Sequence, residues 1–311
     1  MKQQDISRRR FIGSAALAAA GVAFASKSAL ASSLFQSKPN SKIHGVQIGV
    51  ITYSFRSMPG SAEQLLQYCL QCNINAIELM GDAAEAFAGA PARVQGEDNA
   101  SRFKKMADFR TSASMDKFKE LRKLFNDAGI TIYAWKPNAL GPKNTDAEVD
   151  YAFNAGKALG VTHVTVELPT DPEQTKRLGD FAAKHKLYVG YHAHTQATPT
   201  LWDTALSQSE YNAINLDIGH YTAGTSTSPV EFIVKNHARI MSIHLKDRKF
   251  HDGPNQPWGQ GDTPIADVLK LMQKNKYKFP ATIEFEYDVP AGSDAVKEVI
   301  KCREFAEKAL S

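Results

Sequence analysis

Apolar residues recur along this chain at two spacings. Short runs rich in Val, Ile and aromatic residues occur at Val46–Phe55, Ala76–Met80, Ile130–Lys136, His163–Leu168, Tyr188–His194, Ala213–His220, Ile240–Arg248 and Ala281–Asp288. Runs of this length and makeup predict strands. Between them, apolar positions fall three and four apart, the period of a helix that buries one stripe. Met115–Ala128 shows this, with Met115, Phe118, Leu121 and Leu124/Phe125 on one face and Gly129 placed to stop the helix. Thr145–Leu159, Pro172–His185, Pro229–His237, Pro264–Lys274 and Asp294–Ala309 follow the same pattern. Three of these begin at proline, which suits a first helical turn.

Strict alternation of strand and helix predicts a parallel sheet. Eight such repeats, each of about 30 residues, select an α/β chain closed as a (β/α)8 TIM barrel over an open sheet. An open doubly wound sheet would carry a glycine-rich phosphate loop after its first strand. That turn is instead Ser57-Met58-Pro59-Gly60-Ser61. One long insertion, Asp82 to Ser114, follows the second strand and is placed to cover the barrel mouth.

The amino terminus changes this picture. Ser7-Arg8-Arg9-Arg10-Phe11-Ile12 matches the twin-arginine export pattern, and a small-residue apolar stretch follows from Gly13 to Ala25. Ala23-Phe24-Ala25 and Ala29-Leu30-Ala31 are both A-x-A cleavage sites, and Lys27 interrupts a stretch already short for a bilayer span. The expectation is a leader over residues 1–31, a linker over 32–45 and a single barrel domain over 46–311. It implies export to the periplasm with the twin-arginine machinery as a targeting partner. The competing reading is an uncleaved anchor.

The formal net charge is +4, but Lys2, Arg8, Arg9, Arg10 and Asp5 lie in the leader, and without them the chain carries +1. A chain so near neutrality has no global basic field to hold nucleic acid. Cys69 and Cys72 share a C-x-x-C spacing inside a helical pattern, with Cys302 remote. A redox pair needs an exposed strand-to-helix turn and a zinc site needs four ligands, so all three are expected as buried helix-face residues.

Polar residues gather where the predicted strands end. These are Glu167 on the fourth strand, His192 and His194 on the fifth, Asp217 with His220 on the sixth, His244, Lys246 and Asp247 on the seventh, and Glu284 and Glu286 on the eighth. Strand side chains alternate faces with period two, so His192 with His194, His244 with Lys246, and Glu284 with Glu286 share a face. Pointed outward, these charges would press unpaired against the helices, at a cost of roughly several kcal/mol each. They are therefore expected to point inward. Glu167, Asp217 and Glu284 then repel one another unless a cation lies between them. Mixed carboxylate and imidazole donors suit a divalent metal such as Mn, Co or Zn. His163, His185, His237 and His251 are expected on loops or helix surfaces.

Residues 46–309 resemble the xylose isomerase-like barrels, the sugar phosphate isomerases/epimerases and their apurinic-endonuclease relatives. The resemblance rests on an acid late in strand six followed by a His, on H-x-x-D late in strand seven and on a Glu in strand eight. Asp217, His220, His244, Asp247 and Glu284 stand at those positions, and Gly259-Gln260-Gly261-Asp262 matches a turn before the seventh helix. Strand five departs from the pattern: His192 and His194 stand where epimerases usually carry a metal-binding Glu. That is similar to a branch with an H-x-H motif and an extra Glu on strand four, here Glu167.

The resemblance implies a divalent-metal-dependent isomerase/epimerase acting on a small-molecule carbohydrate. It implies metal ligands at Glu167, His194, Asp217, His244 and Glu284, with Glu167 and Glu284 as acid/base residues. His192, His220, Lys246 and Asp247 are then expected at the substrate. The metal polarises a carbonyl, a carboxylate removes the adjacent proton, and an enediolate forms. Elimination from a 3-keto-glycoside would use the same site. A noncatalytic exported sugar-binding protein and an apurinic-endonuclease-type phosphodiesterase are the other readings, and a homo-oligomer is compatible with all of them.

Overall fold

The structure is a computed structural model that describes residues 38–311. The leader and residues 32–37 of the expected linker lie outside the described residues. Among the described residues, no helix is long and apolar enough to cross a membrane.

Eight strands run parallel: β2 (Val46–Ile51), β3 (Ala76–Met80), β4 (Thr131–Lys136), β5 (His163–Glu167), β6 (Tyr188–His192), β7 (Asn212–Asp217), β8 (Ile240–Leu245) and β11 (Ala281–Ile283). Each pairs with its neighbours in chain order, β11 returns to pair with β2, and the barrel closes. The (β/α)8 barrel expected from the alternation is therefore the fold. Lys42–Ile43 (β1), within the expected linker, pairs antiparallel with the start of β2. A small ribbon of β9 (Asp247–Arg248) and β10 (Asn255–Gln256) stands beyond β8.

Several strands end earlier than the apolar pattern suggests. The first gives way at Thr52–Phe55 to a 3-10 turn, and the eighth is only three residues long. The sixth stops at Asp217 because a helix, Ile218–Thr225, begins at once, with the Asp217 side chain as its N-cap. Gly219 is required there. A Cβ at that position would lie 2.5 Å from the Lys246 carbonyl oxygen.

The two faces of the strands differ in chemistry. Ile214, Leu216, Ile243, Leu245 and Ile283 point out and are fully buried beneath the helix layer. The helix Met115–Asp127 contributes Phe118, Leu121 and Phe125 to that core, as its stripe predicts. The inward set is polar. Tyr133 Oη and Thr282 Oγ1 share a hydrogen bond, and His163 Nε2 lies 2.9 Å from Ser242 Oγ. Above them lie Glu78, Thr165, Asn215 and His244, all fully buried. His163 is thus an interior strand residue, not the surface residue expected. Its hydrogen-bond partners, Thr162 and Ser242, are hydroxyls, which leave a neutral ring well satisfied, and burial pushes its pKa down to about 4. His185 is also buried, against Asp150.

The insertion after β3 forms two helices, Gly81–Phe87 and Asn99–Ser112. Arg110 fastens the second one. Its guanidinium pairs with Glu85 at 2.8 Å and with Glu148 at 3.0 Å, and all three side chains are buried. Glu148 also closes a capping box with Thr145 at the start of the helix Asp146–Leu159. The three cysteines are free and buried, and burial raises their thiols above the ordinary range.

Candidate active site

The polar lumen opens at the carboxyl ends of the strands, and its top layer is a cluster of charges. Four buried side chains, His192, Asp217, His244 and Glu284, bring one donor atom each within 4.8 Å of one another. The barrel register sets them side by side, with Asp217 opposite His244 across β7 and β8, and His244 opposite Thr282 across β8 and β11. A second trio, His192, His194 and His220, meets the same distance limit.

Asp217 divides its carboxylate between two tasks. Oδ1 accepts the His220 backbone N–H at 2.7 Å. Oδ2 faces the cluster, buried and without a hydrogen-bond partner. Lys246 Nζ lies 3.0 Å from it, as an ion pair. His192 is arranged similarly: Nδ1 meets Glu167 Oε2 at 2.9 Å, while Nε2 is buried without a partner and faces Asp217. Burial opposes the charged imidazole, but the carboxylates of Asp217 and Glu167 beside it outweigh that and raise the His192 pKa.

His244 is held at both nitrogens. Nδ1 lies 3.0 Å from Glu284 Oε2, and Nε2 lies 2.7 Å from Glu78 Oε2. Burial alone would lower its pKa, but the carboxylates of Glu78 and Glu284 lift it to about 10. The reciprocal effect holds Glu78 down at about 2, against the pull of its own burial.

Lys246 is 2% exposed in its side chain and sits among three carboxylates, 3.0 Å from Asp217, 3.1 Å from Glu284 and 2.5 Å from Glu286. Burial disfavours the ammonium, yet these carboxylates hold it firmly protonated. Against their own burial, His220 and Lys246 push Asp217 well below the ordinary carboxylate range, and Lys246 and His244 do the same to Glu284. His220 lies between two cationic groups, with Arg248 Nη1 at 2.7 Å from Nδ1 and Lys246 Nζ at 2.9 Å from Nε2. Burial, helped by Lys246 and opposed by Asp217, pushes its pKa down to about 3. The ring is neutral at pH 7 and has one lone pair to offer, so the two cations compete for it.

The remaining expected residues stand elsewhere. Glu167 lies at the mouth, 47% exposed in its side chain, with Lys136 Nζ at 2.6 Å; it belongs to neither donor group. His194 lies past the end of β6, half exposed, and joins the histidine trio rather than the carboxylate cluster. His192, expected at the substrate, takes the place expected for His194. Asp247 also departs from expectation. Its carboxylate is buried and accepts the backbone N–H groups of Gly259, Gly261 and Thr263. It therefore organises the loop after β8 instead of facing the cluster. Gly261 is obligatory in that cradle, since a Cβ there would collide with Asp247 Oδ1.

Four groups at the site were not anticipated: Glu78, Lys136, Arg248 and Glu286 in its role as partner of Lys246. Glu78 had one signal in the sequence. It is a lone acid within the strand Ala76-Ile77-Glu78-Leu79-Met80, and a charge in such a run needs a buried partner.

The donor set fits a divalent cation. Asp217 Oδ2, whose one close neighbour is the Lys246 ammonium as an ion pair, faces the unpartnered Nε2 of His192, with a second imidazole and a second carboxylate alongside. Two nitrogen and two oxygen donors without thiolate suit a borderline metal.

A parallel barrel whose polar centre gathers at the carboxyl ends of its strands defines the architecture of a barrel enzyme. The model of the xylose isomerase-like TIM barrel family matches residues 97–304, and the chain belongs to that family. Solved structures agree on the fold. A sugar phosphate isomerase/epimerase from Parabacteroides distasonis is 18% identical, with a TM-score of 0.60 over 86% of this chain and 96% of its own. A 3-keto-D-glucoside 4-epimerase from E. coli is 12% identical, with a TM-score of 0.58 over 84% of this chain and 99% of its own. The probable 3-DHS dehydratase from Bacillus anthracis is 14% identical, with a TM-score of 0.61 over 83% and 98%. No curated protein matches the chain by sequence.

Proposed function

We propose that the protein is a divalent-metal-dependent sugar isomerase/epimerase that moves a proton on the carbon next to a carbonyl. The observation that carries this reading is the buried group His192, Asp217, His244 and Glu284, with His192 Nε2 and Asp217 Oδ2 without a hydrogen-bond partner. These four residues would hold the cation, which when bound supplies Lewis-acid polarisation of a sugar carbonyl.

The chain's own residues supply the rest. Glu284 and Glu167 are the carboxylates placed to take and return the proton, one within the cluster and one at the mouth. Lys246 places a buried positive charge where negative charge develops on substrate oxygen. His220, neutral and next to Lys246, orients a sugar hydroxyl.

The test is solvent exchange. Mn2+-loaded protein is incubated with free, keto and glycosidic sugars in D2O, and deuterium incorporation at carbon is followed by NMR. Incorporation into at least one sugar, lost in Asp217→Asn, supports the reading. Tight sugar binding with no exchange at any carbon sinks it in favour of a binding protein.

We also propose that the chain is exported by the twin-arginine route. The support is Ser7-Arg8-Arg9-Arg10-Phe11-Ile12 followed by two A-x-A sites. That route carries folded proteins, which suits a barrel loaded with its cation before transport.

A further inference from the structure

We propose that Glu78 is a positioning residue that commits His244 to the metal through Nδ1. The inference rests on the metal-site reading above and deepens it, because it assigns the atom His244 offers and the group that makes it do so.

Glu78 lies in the middle of β3, separated from the His244 strand by β2 and β11 around the barrel, and has no exposed surface. Its neighbours in the chain, Ile77 and Leu79, point outward into the core and are equally buried. Both carboxylate oxygens are engaged. Oε1 accepts the Thr165 hydroxyl at 2.6 Å and has Asn215 Nδ2 at 3.5 Å. Oε2 meets His244 Nε2 at 2.7 Å. The Thr165 hydroxyl from β5 thus helps to fix the direction in which Oε2 points, while Asn215 Nδ2 from β7 also lies 3.3 Å from His244 Nε2.

An ionised carboxylate only accepts hydrogen bonds, so the imidazole nitrogen facing it must carry the proton. In the metal-free ring both nitrogens face carboxylates, Glu78 at Nε2 and Glu284 at Nδ1. A cation held among His192, Asp217 and Glu284 would take the place of the Nδ1 proton, because Glu78 lies outside that group and keeps Nε2–H. Nδ1 is the nitrogen that faces Glu284, at 3.0 Å, and through it the group of His192, Asp217 and Glu284. Glu78 itself is not a member of that group. The carboxylate is therefore placed behind the ligand, where it sets the tautomer and ring plane and makes the ring a better donor. The same arrangement recurs at His192, where Glu167 takes Nδ1 and leaves Nε2 toward the cluster.

A purely structural role would make Glu78 a buried counter-charge with no preference between the two nitrogens. The two roles separate on cation binding. Co2+ is titrated into full-length wild type, Glu78→Gln, His244→Ala and the double variant, with affinity read by chelator competition and the visible absorption of bound Co2+. Glu78→Gln keeps an acceptor beside Nε2 but removes its charge. Its Co2+ affinity is expected to fall about 10–100-fold, with altered Co2+ absorption. In the double variant the Glu78 change is expected to add nothing to the loss from His244→Ala. Wild-type affinity in Glu78→Gln, or losses that simply add in the double variant, would overturn the proposal while leaving the metal site standing. Absence of Co2+ binding to wild type would remove both. Should Glu78→Gln fail to fold, the ring nitrogens of His244 in Zn2+-loaded wild type decide by NMR. A proton on Nε2 with metal at Nδ1 is expected, and the reverse assignment overturns the proposal.

Discussion

Asp217 Oδ1 accepts the backbone N–H of His220 at 2.7 Å, so one side chain starts a helix and lines the charged cluster at once. The two tasks respond differently to substitution. Asn is as good an N-cap as Asp, whereas Ala is not, and losing the cap costs about 1 kcal/mol. Asp217→Asn is therefore expected to keep the cap while losing bound Mn2+ and the buried ion pair with Lys246. Asp217→Ala should lose the cap as well and be the less stable of the two. Metal content and urea midpoints of the two variants check this, and full Mn2+ content in Asp217→Asn would remove Asp217 from the site.

Glu284→Gln preserves the size of the side chain beside His244 and Lys246 but removes the base. Carbon-bound proton exchange is expected to fall by at least about 100-fold, the low end of what general acid–base catalysis contributes. If exchange persists in Glu284→Gln and vanishes in Glu167→Gln, the carboxylate at the mouth is the base.

The pairing of His244 with Glu78 and Glu284 has a signature in stability. Its folded pKa, about 10, stands above the ordinary histidine value of 6.5. A raised pKa stabilises the fold fully below the unfolded value, and that contribution is lost as pH rises through the folded value. Metal-free protein is thus expected to lose thermal stability between pH 6.5 and 10. Melting temperatures of chelator-treated wild type and His244→Gln across that range check it. Equal slopes for the two would show that the loss has another source.

Arg110 is the sole cation between Glu85 and Glu148, and its side chain is 6% exposed. Arg110→Met leaves two buried carboxylates uncompensated. Breaking such a pair by removing one partner costs about 3–5 kcal/mol. Denaturant unfolding measures this directly, and a loss below about 1 kcal/mol would mean that the insertion helix rearranges freely.

Arg8→Lys with Arg9→Lys should leave the protein in the cytoplasm, as read by fractionation and immunoblot. Undiminished recovery from the periplasm would dismiss the twin-arginine reading.

The barrel was legible because its outward strand faces are apolar and its helices carry clear stripes. The inward set was legible in parity: His192, Asp217, His244, Lys246 and Glu284 do point to one centre. Parity does not say where a strand stops, however. β6 ends at His192, so His194 passes beyond the ladder into a half-exposed position, although both residues have the same phase. Asp247 shows the same limit in another form, since its backbone partners lie in a loop whose path no local pattern specifies. Glu78 escaped notice because the sequence draws attention to strand ends, and its partner His244 is 166 residues away. The strength of its pairing is visible only once the barrel closes.

The position of Lys246 bears on the order of events in making the protein. An ammonium already stands between Asp217, Glu284 and Glu286, so the chain carries its own internal counterion. Assembly of the barrel need not wait for a cation from outside. On the proposed reading, loading would be an exchange at a finished site, in which an incoming dication would share its carboxylates with a resident monocation. The electrostatic gain on loading would be correspondingly smaller than in a bare cage of acids, and the ion would stay replaceable.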